Sequence, residues 1–233
     1  MAAVLAGAIP LAAMLVVLWT QFHVRRTFAK HAEVASEFGR PAHLAARYLL
    51  AAAGLNDVNV TSTPGSLNDH YDPEGHELRL SSATYQDQSV AAIAVAAHEV
   101  GHAMQDSLGH LLFRLRLTLA RATSAAAAVA PFIMIGGLVG GLATRHPTAF
   151  AIAAFGVVVL LLAFALTVVA LPIEFDASRR AQRLLEVTGI TTVDERTIVR
   201  DVLDAAAWTY LASLLGTFAR VLLLAVRLLG RFR

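Results

Sequence analysis

Two histidines, His98 and His102, stand four residues apart in the stretch VAAHEVGHAMQ (residues 95–105), and Glu99 directly follows the first. If this stretch is helical, the two imidazoles share one face, one turn apart, and can grip a single metal ion. Glu99 is displaced by one position. It cannot ligate the same ion, but it can reach a water held there. The chemistry on offer is hydrolysis: the ion is a Lewis acid, and Glu99 takes a proton from water and passes it to a leaving amine. The chain has no cysteine, so any metal site must use imidazole and carboxylate. That donor set suits one Zn2+ ion. Ala97 and Gly101 keep nearby bulk low and leave room for another helix.

A catalytic zinc needs a third protein ligand and an open fourth position. The extended histidine motif of one large zinc peptidase class would need glycine and histidine three and six residues after His102. Gln105 and Leu108 stand there, which excludes it. His110 is two turns beyond His102, too far along a continuing helix to share the ion. Asp106, one turn past His102, is one candidate, as ligand or as a partner orienting His102 from behind. Glu174 is the stronger one. It lies in LPIEFDASRR (residues 171–180) and is the first acidic residue after Asp106, across two uncharged apolar runs. Two membrane crossings would return the chain to the side it left, so Glu174 and His98 would share a membrane face. Pro172 suits a helix start, which would put Glu174 in the first turn, Ser178 one turn on and Asp176 on another face. The oxyanion of the transition state also needs donors, and His70, Tyr71, Arg179 and Tyr210 are the candidates.

The elements that must position these residues follow from composition and patterning. The 233-residue chain is 57% hydrophobic and 15% charged, outside the usual range of soluble domains. All 17 acidic residues lie in two stretches, ten between residues 23 and 117 and seven between 173 and 204. Acid-free apolar blocks alternating with mixed-charge blocks are the pattern of a polytopic membrane protein. Residues 1–22 read as a retained transmembrane anchor, because Arg25, Arg26 and Lys30 follow the apolar run instead of preceding it. Runs 122–144 and 147–173, joined at Arg145-His146, read as a transmembrane hairpin. Arg114, Arg116 and Arg121 lie at one end and Arg179, Arg180 and Arg183 at the other, which places both ends in the cytoplasm. The cluster GGLVGG (136–141) would let the two helices approach closely. Residues 205–230 carry Arg220 and Arg227 on one helical face and read equally as a spanning or an interfacial helix. Trp19 and Trp208 read as interface anchors.

Within the polar stretches, residues 41–53 are a helix stopped by Gly54, and 58–60 form a short strand. Residues 68–71 and 76–81, around the turn DPEG, form strand, turn and strand. Ser89 caps a helix from Val90 to about Ser107, which carries the two histidines. The fold expected is mainly α: a polytopic membrane protein with a small α+β catalytic region, its β-hairpin packed near the histidine helix. Five segments result: 1–22, the anchor; 23–117, the catalytic region; 118–172, the hairpin; 173–204, the segment with the third ligand; and 205–233, the C-terminal helix. His23, His31, His43, His76 and His146 have no partner pattern and read as surface or interfacial.

The stretches SVAAIAVAAHEVGHAMQ, LNDHYDPEGHELRLS and LPIEFDASRRA, together with the order of apolar blocks, resemble the YugP-like family of bacterial membrane zinc metallopeptidases. The likeness spans nearly the whole chain. It implies a membrane-bound peptidase with a zincin-like site in which His98, His102 and Glu174 are zinc ligands and Glu99 is the catalytic base. One position departs from related glutamate-type sites, which often place an aspartate four residues after the ligand glutamate; here it is Ser178, with Asp176 nearby.

The function expected is therefore zinc-dependent endoproteolysis of protein or peptide substrates, membrane proteins among them. The enzyme would sit in the cell membrane with its site at the cytoplasmic surface, in contact with the lipid bilayer. A net charge of +2 gives no argument for nucleic acid. Cleavage within the bilayer is disfavoured, because only eight apolar residues precede His98 on its helix, too few to span. The alternative is a non-catalytic, zinc-stabilised scaffold or adaptor. A metal carrier is disfavoured, since neither hairpin run holds an ionisable residue at its centre. The patterning carries no signal for oligomeric state.

Overall fold

A computed structural model describes residues 2–229, and their side chains except those of residues 2–10, 13, 120–128, 131, 167, 213 and 217–229. Seven helices and three strands follow in the order α1 (Ala2–Ala32), α2 (Ala42–Ala52), β1 (Asn59–Thr63), β2 (His70–Asp72), β3 (Glu77–Ser81), α3 (Ser82–Tyr85), α4 (Val90–Ser107), α5 (Leu111–Thr144), α6 (Pro147–Thr188) and α7 (Val193–Leu229). The chain is mainly helical with one small sheet, as the patterning implies. It divides into two compact units. The first comprises Met1–Trp19, Arg114–Leu171 and Tyr210–Arg233, and the second Thr20–Phe113 and Pro172–Thr209.

In the second unit α4 is the central element. Ser89 caps it, its hydroxyl accepting from Ala92 N–H at 3.1 Å. Val90 to Ala94, Ala96, Ala97 and Val100 are all fully buried. A helix apolar on nearly every side has to be enclosed, and α4 is. The three-stranded sheet has the order β1-β3-β2. β1 runs parallel to β3, and β2 antiparallel to it with Tyr71 opposite Leu78. Alternation on β3 buries Leu78 and Leu80 completely, while Arg79 pairs with Asp72 and Glu77. The DPEG turn closes through Asp72, whose Oδ1 accepts from Glu74 and Gly75 N–H. Leu49 of α2, Ile93 of α4, Leu185 of α6 and Val199 of α7 complete the core. The start of α7 is a capping box: Thr192 Oγ1 accepts from Glu195 N–H, and Glu195 Oε2 accepts from Thr192 N–H at 2.8 Å. Glu195 Oε1 also accepts from Glu37 N–H at 2.8 Å, tying down the loop after α1.

In the first unit α5 and the first part of α6 form the expected helical hairpin, with Arg145 in left-handed conformation (φ 55°) at the turn. Its helices touch backbone to backbone: a Cβ on Gly137 would lie 2.6 Å from Ala153 N. Ala130, Met134 and Leu160 are buried between them, while Phe132, Val139, Phe155 and Val158 face outward. Among the described residues α6 is the one helix long and apolar enough to cross a membrane, and Phe132–Thr144 is a shorter apolar stretch. Many side chains of 1–22, 122–144 and 205–230, those of Arg220 and Arg227 among them, lie outside the described residues, as do the side chain of Arg121 and all of Arg231.

Three local expectations are corrected. Pro172 does not start a helix; it lies inside α6. Proline removes one N–H and crowds the carbonyl four residues back, yet α6 runs through it from Pro147 to Thr188. The first strand lies at 59–63 instead of 58–60, drawn on by pairing of Thr61, Ser62 and Thr63 with β3. His31 is not at the surface but 5% exposed, with Nε2 3.6 Å from Asp201 Oδ2.

Candidate metal centre

All the residues of the site belong to the second unit, which takes in α4 and the part of α6 from Pro172 on. α4 crosses α6 at Gly101, where a Cβ would lie 2.5 Å from the carbonyl oxygen of Ala177. Real side chains do not tolerate that distance, so glycine is what permits the approach. His98 and His102 lie to either side of Gly101 on α4, and Glu174 and Ser178 to either side of Ala177 on α6. The crossing therefore sets two imidazoles against a carboxylate and a hydroxyl.

His98 Nε2 is 3.2 Å, and His102 Nε2 3.3 Å, from the same oxygen, Glu174 Oε2. The rings stand at 86° with centroids 4.7 Å apart. One ligand atom from each of the three residues lies within 4.8 Å of the others. Two donors at about 2.0–2.1 Å from one tetrahedral ion are about 3.4 Å apart, close to the observed nitrogen–oxygen separations. Two nitrogens and one carboxylate oxygen are a zinc donor set with a fourth position to spare. The residues present thus fit the ion.

Electrostatics points the same way. Glu174 is 2% exposed. Burial alone favours the neutral acid, and two imidazole nitrogens in hydrogen-bond range favour the carboxylate instead. For His102, burial would lower the pKa, but the hydrogen bond to Glu174, the charges of Glu99 and Glu174 and the bond to Gln105 raise it. The site is built to hold positive charge between the rings and the carboxylate.

Both rings are held from behind, as metal-binding histidines usually are. His98 Nδ1 is 3.2 Å from Ser178 Oγ, and His102 Nδ1 is 3.0 Å from Gln105 Oε1. Phe113 stacks on His102 at 5.8 Å. Glu99 is buried beside the rings, and its Oε2 accepts the backbone N–H of Tyr71 at 3.0 Å. That bond lays the edge strand β2 along α4.

The sequence-derived candidates separate accordingly. His98, His102, Glu174 and Glu99 come together, with Ser178 at the position where related sites often carry an aspartate. Asp106 serves neither as third donor nor as partner of His102; it accepts the phenol of Tyr71 at 3.0 Å. Burial first, and then that bond, raises the pKa of Tyr71 above the ordinary phenol range. His70 is exposed and donates Nδ1–H to Asn68 O at 2.9 Å. Arg179 is exposed near Asp176, and Tyr210, in the first unit, lies under Arg116. Gln105 is the residue that sequence reasoning passed over, noted only as a departure from another motif. Its signal was a polar side chain three residues after His102, on the same face of α4.

Paired imidazoles on one helix and a carboxylate from a second form a group that could hold a metal ion, with buried Glu99 next to His98 in the chain. Residues 7–229 match the family model described as "Putative neutral zinc metallopeptidase", and the chain belongs to that family. It is 35% identical over 212 residues to "Putative membrane protease YugP" of Bacillus subtilis (strain 168), a match covering 91% of each chain. No solved structure matches.

Proposed function

We propose that the protein is a membrane-bound zinc metalloendopeptidase. His98, His102 and Glu174 are the residues that would hold one Zn2+. When bound, the ion supplies Lewis acidity, polarising the scissile carbonyl and making water easier to deprotonate. Glu99 is the general base: it takes the proton from the attacking water and delivers it to the departing amine. Its bond from Tyr71 N–H aims the carboxylate and leaves its other oxygen for that task. Tyr71 and His70, on β2, are the proposed oxyanion donors. Substrates are proteins or peptides, including membrane proteins.

The enzyme sits in the cell membrane as a multi-pass protein, with residues 1–22, 122–144 and 147–173 spanning, 205–230 spanning or interfacial, and the site on the cytoplasmic side. Support comes from the apolar length of α6, the basic residues at both ends of the hairpin and the relative's name as a membrane protease. The observation that carries the proposal is the convergence of three donors from two helices beside buried Glu99.

The test is zinc content and peptide cleavage by purified full-length protein. Glu99→Gln should retain its zinc and lose about 10²–10⁴-fold in cleavage rate. A zinc-loaded wild type that cleaves no protein or peptide substrate would favour the non-catalytic scaffold instead.

A further inference from the structure

Gln105 is completely buried on α4. Its Nε2 lies 2.8 Å from the backbone oxygen of Ile173 and 2.8 Å from Asp176 Oδ2, and its Oε1 lies 3.0 Å from His102 Nδ1. The first two partners are acceptors only. The same Asp176 oxygen also accepts from Arg180 Nε at 2.6 Å. Both amide hydrogens of Gln105 are therefore taken up by α6. Turned over, the amide would set its own oxygen against two oxygens. Chemistry thus dictates its orientation, and what faces His102 is an acceptor. An imidazole nitrogen against an acceptor must carry hydrogen, so Nδ1 is the protonated one. In the neutral ring the lone pair then sits on Nε2, the atom 3.3 Å from Glu174.

We propose that Gln105 is a positioning residue that selects the His102 tautomer able to ligate zinc through Nε2, with Asp176 and Arg180 locking Gln105 from α6. This rests on the zinc reading above. Ile173 and Asp176 flank Glu174, so one side chain on α4 aligns its own histidine with the helix that brings the carboxylate. His98 has no equivalent lock. Its Nδ1 faces the hydroxyl of Ser178, which can donate or accept and therefore does not choose a tautomer.

The experiment uses full-length protein with 15N-labelled histidine. Zinc affinity is measured by chelator competition, thermal midpoint by unfolding, and the protonated nitrogen of each ring by long-range 1H–15N correlation. In zinc-loaded wild type, His102 should be protonated at Nδ1 and metal-bound at Nε2. Gln105→Leu should weaken zinc about 10–100-fold. Asp176→Leu, at a side chain 23% exposed, should weaken it by about tenfold or less. Ser178→Ala should cost less than Gln105→Leu. Ligation of His102 through Nδ1, or a folded Gln105→Leu with wild-type affinity, overturns the proposal and leaves the metal reading standing. Should Gln105→Leu fail to fold, the wild-type spectrum and Asp176→Leu decide. A wild type that binds no zinc overturns the metal reading, and this inference with it.

Discussion

Two glycines make nearly the same contact in the two units. A Cβ on Gly101 would lie 2.5 Å from Ala177 O, and one on Gly137 would lie 2.6 Å from Ala153 N. In each case helix backbones meet because one of them lacks a side chain. Their neighbourhoods differ. Gly101 is flanked on α4 by two histidines, opposite a glutamate and a serine, whereas Gly137 lies among apolar residues, with Ala130, Met134 and Leu160 buried nearby. Close approach is thus a general packing device. It becomes a site only where donor side chains flank the crossing, as His98 and His102 flank Gly101 and Glu174 lies one turn before Ala177.

The sharpest way to break that distinction is to remove a donor and keep the crossing. Glu174→Ala should cost roughly a hundredfold or more in zinc affinity, above the 10–100-fold typical of losing an outer partner. Undiminished zinc in the purified variant would mean that α6 contributes packing alone. Next comes the crossing itself. Gly101→Ala and Gly137→Ala each force a Cβ against backbone, so each should destabilise by about 1–3 kcal/mol. Only Gly101→Ala should also weaken zinc, because it moves Glu174 away from the rings. Equal zinc affinity in the two variants, with equal loss of thermal stability, would erase the difference between the contacts.

A smaller effect belongs to the frame of the second unit. Burial would raise the pKa of Glu195, but bonds from the N–H groups of Thr192 and Glu37 lower it overall. A carboxylate with a depressed folded-state pKa adds stability that is fully present above its unfolded value. That stability is lost as pH falls through the folded value. Glu195→Gln should therefore cost about 0.5–2 kcal/mol near neutral pH. The gap from wild type should close on acidification below about pH 4. A gap independent of pH would show that the bonds do not depend on ionisation. The smallest effect on stability is expected from Tyr71→Phe, which removes the phenol bond to Asp106, worth about 0.5–1.5 kcal/mol. If that phenol also turns to the oxyanion, kcat should fall while KM holds. An unchanged kcat would assign Tyr71 to holding β2 on α4.

The histidine helix was legible because its information is local. Ser89 before an apolar run, an alanine-rich enclosed face and imidazoles one turn apart all act within a few residues. The β-hairpin was legible too, since Asp72-Pro-Glu-Gly closes on its own side chain. The course of α6 was not. Proline is as much at home in a first turn as it is costly within a helix, and only the flanking segments decide which. His31 was misplaced for a related reason: its partner, Asp201, is 170 residues away.

By itself the sequence determined which donors exist, that none is a thiol, and that His98 and His102 must share a helix face, because 3.6-residue periodicity requires it. It also made Glu174 the best distant candidate. Only the tertiary structure decided that Glu174 lies opposite those rings, that Asp106 does not, and that Gln105 stands behind His102. Such placements depend on where two helices cross. That crossing uses the space a missing Cβ leaves at Gly101, and only the packed helices decide that Ala177 of α6 enters it.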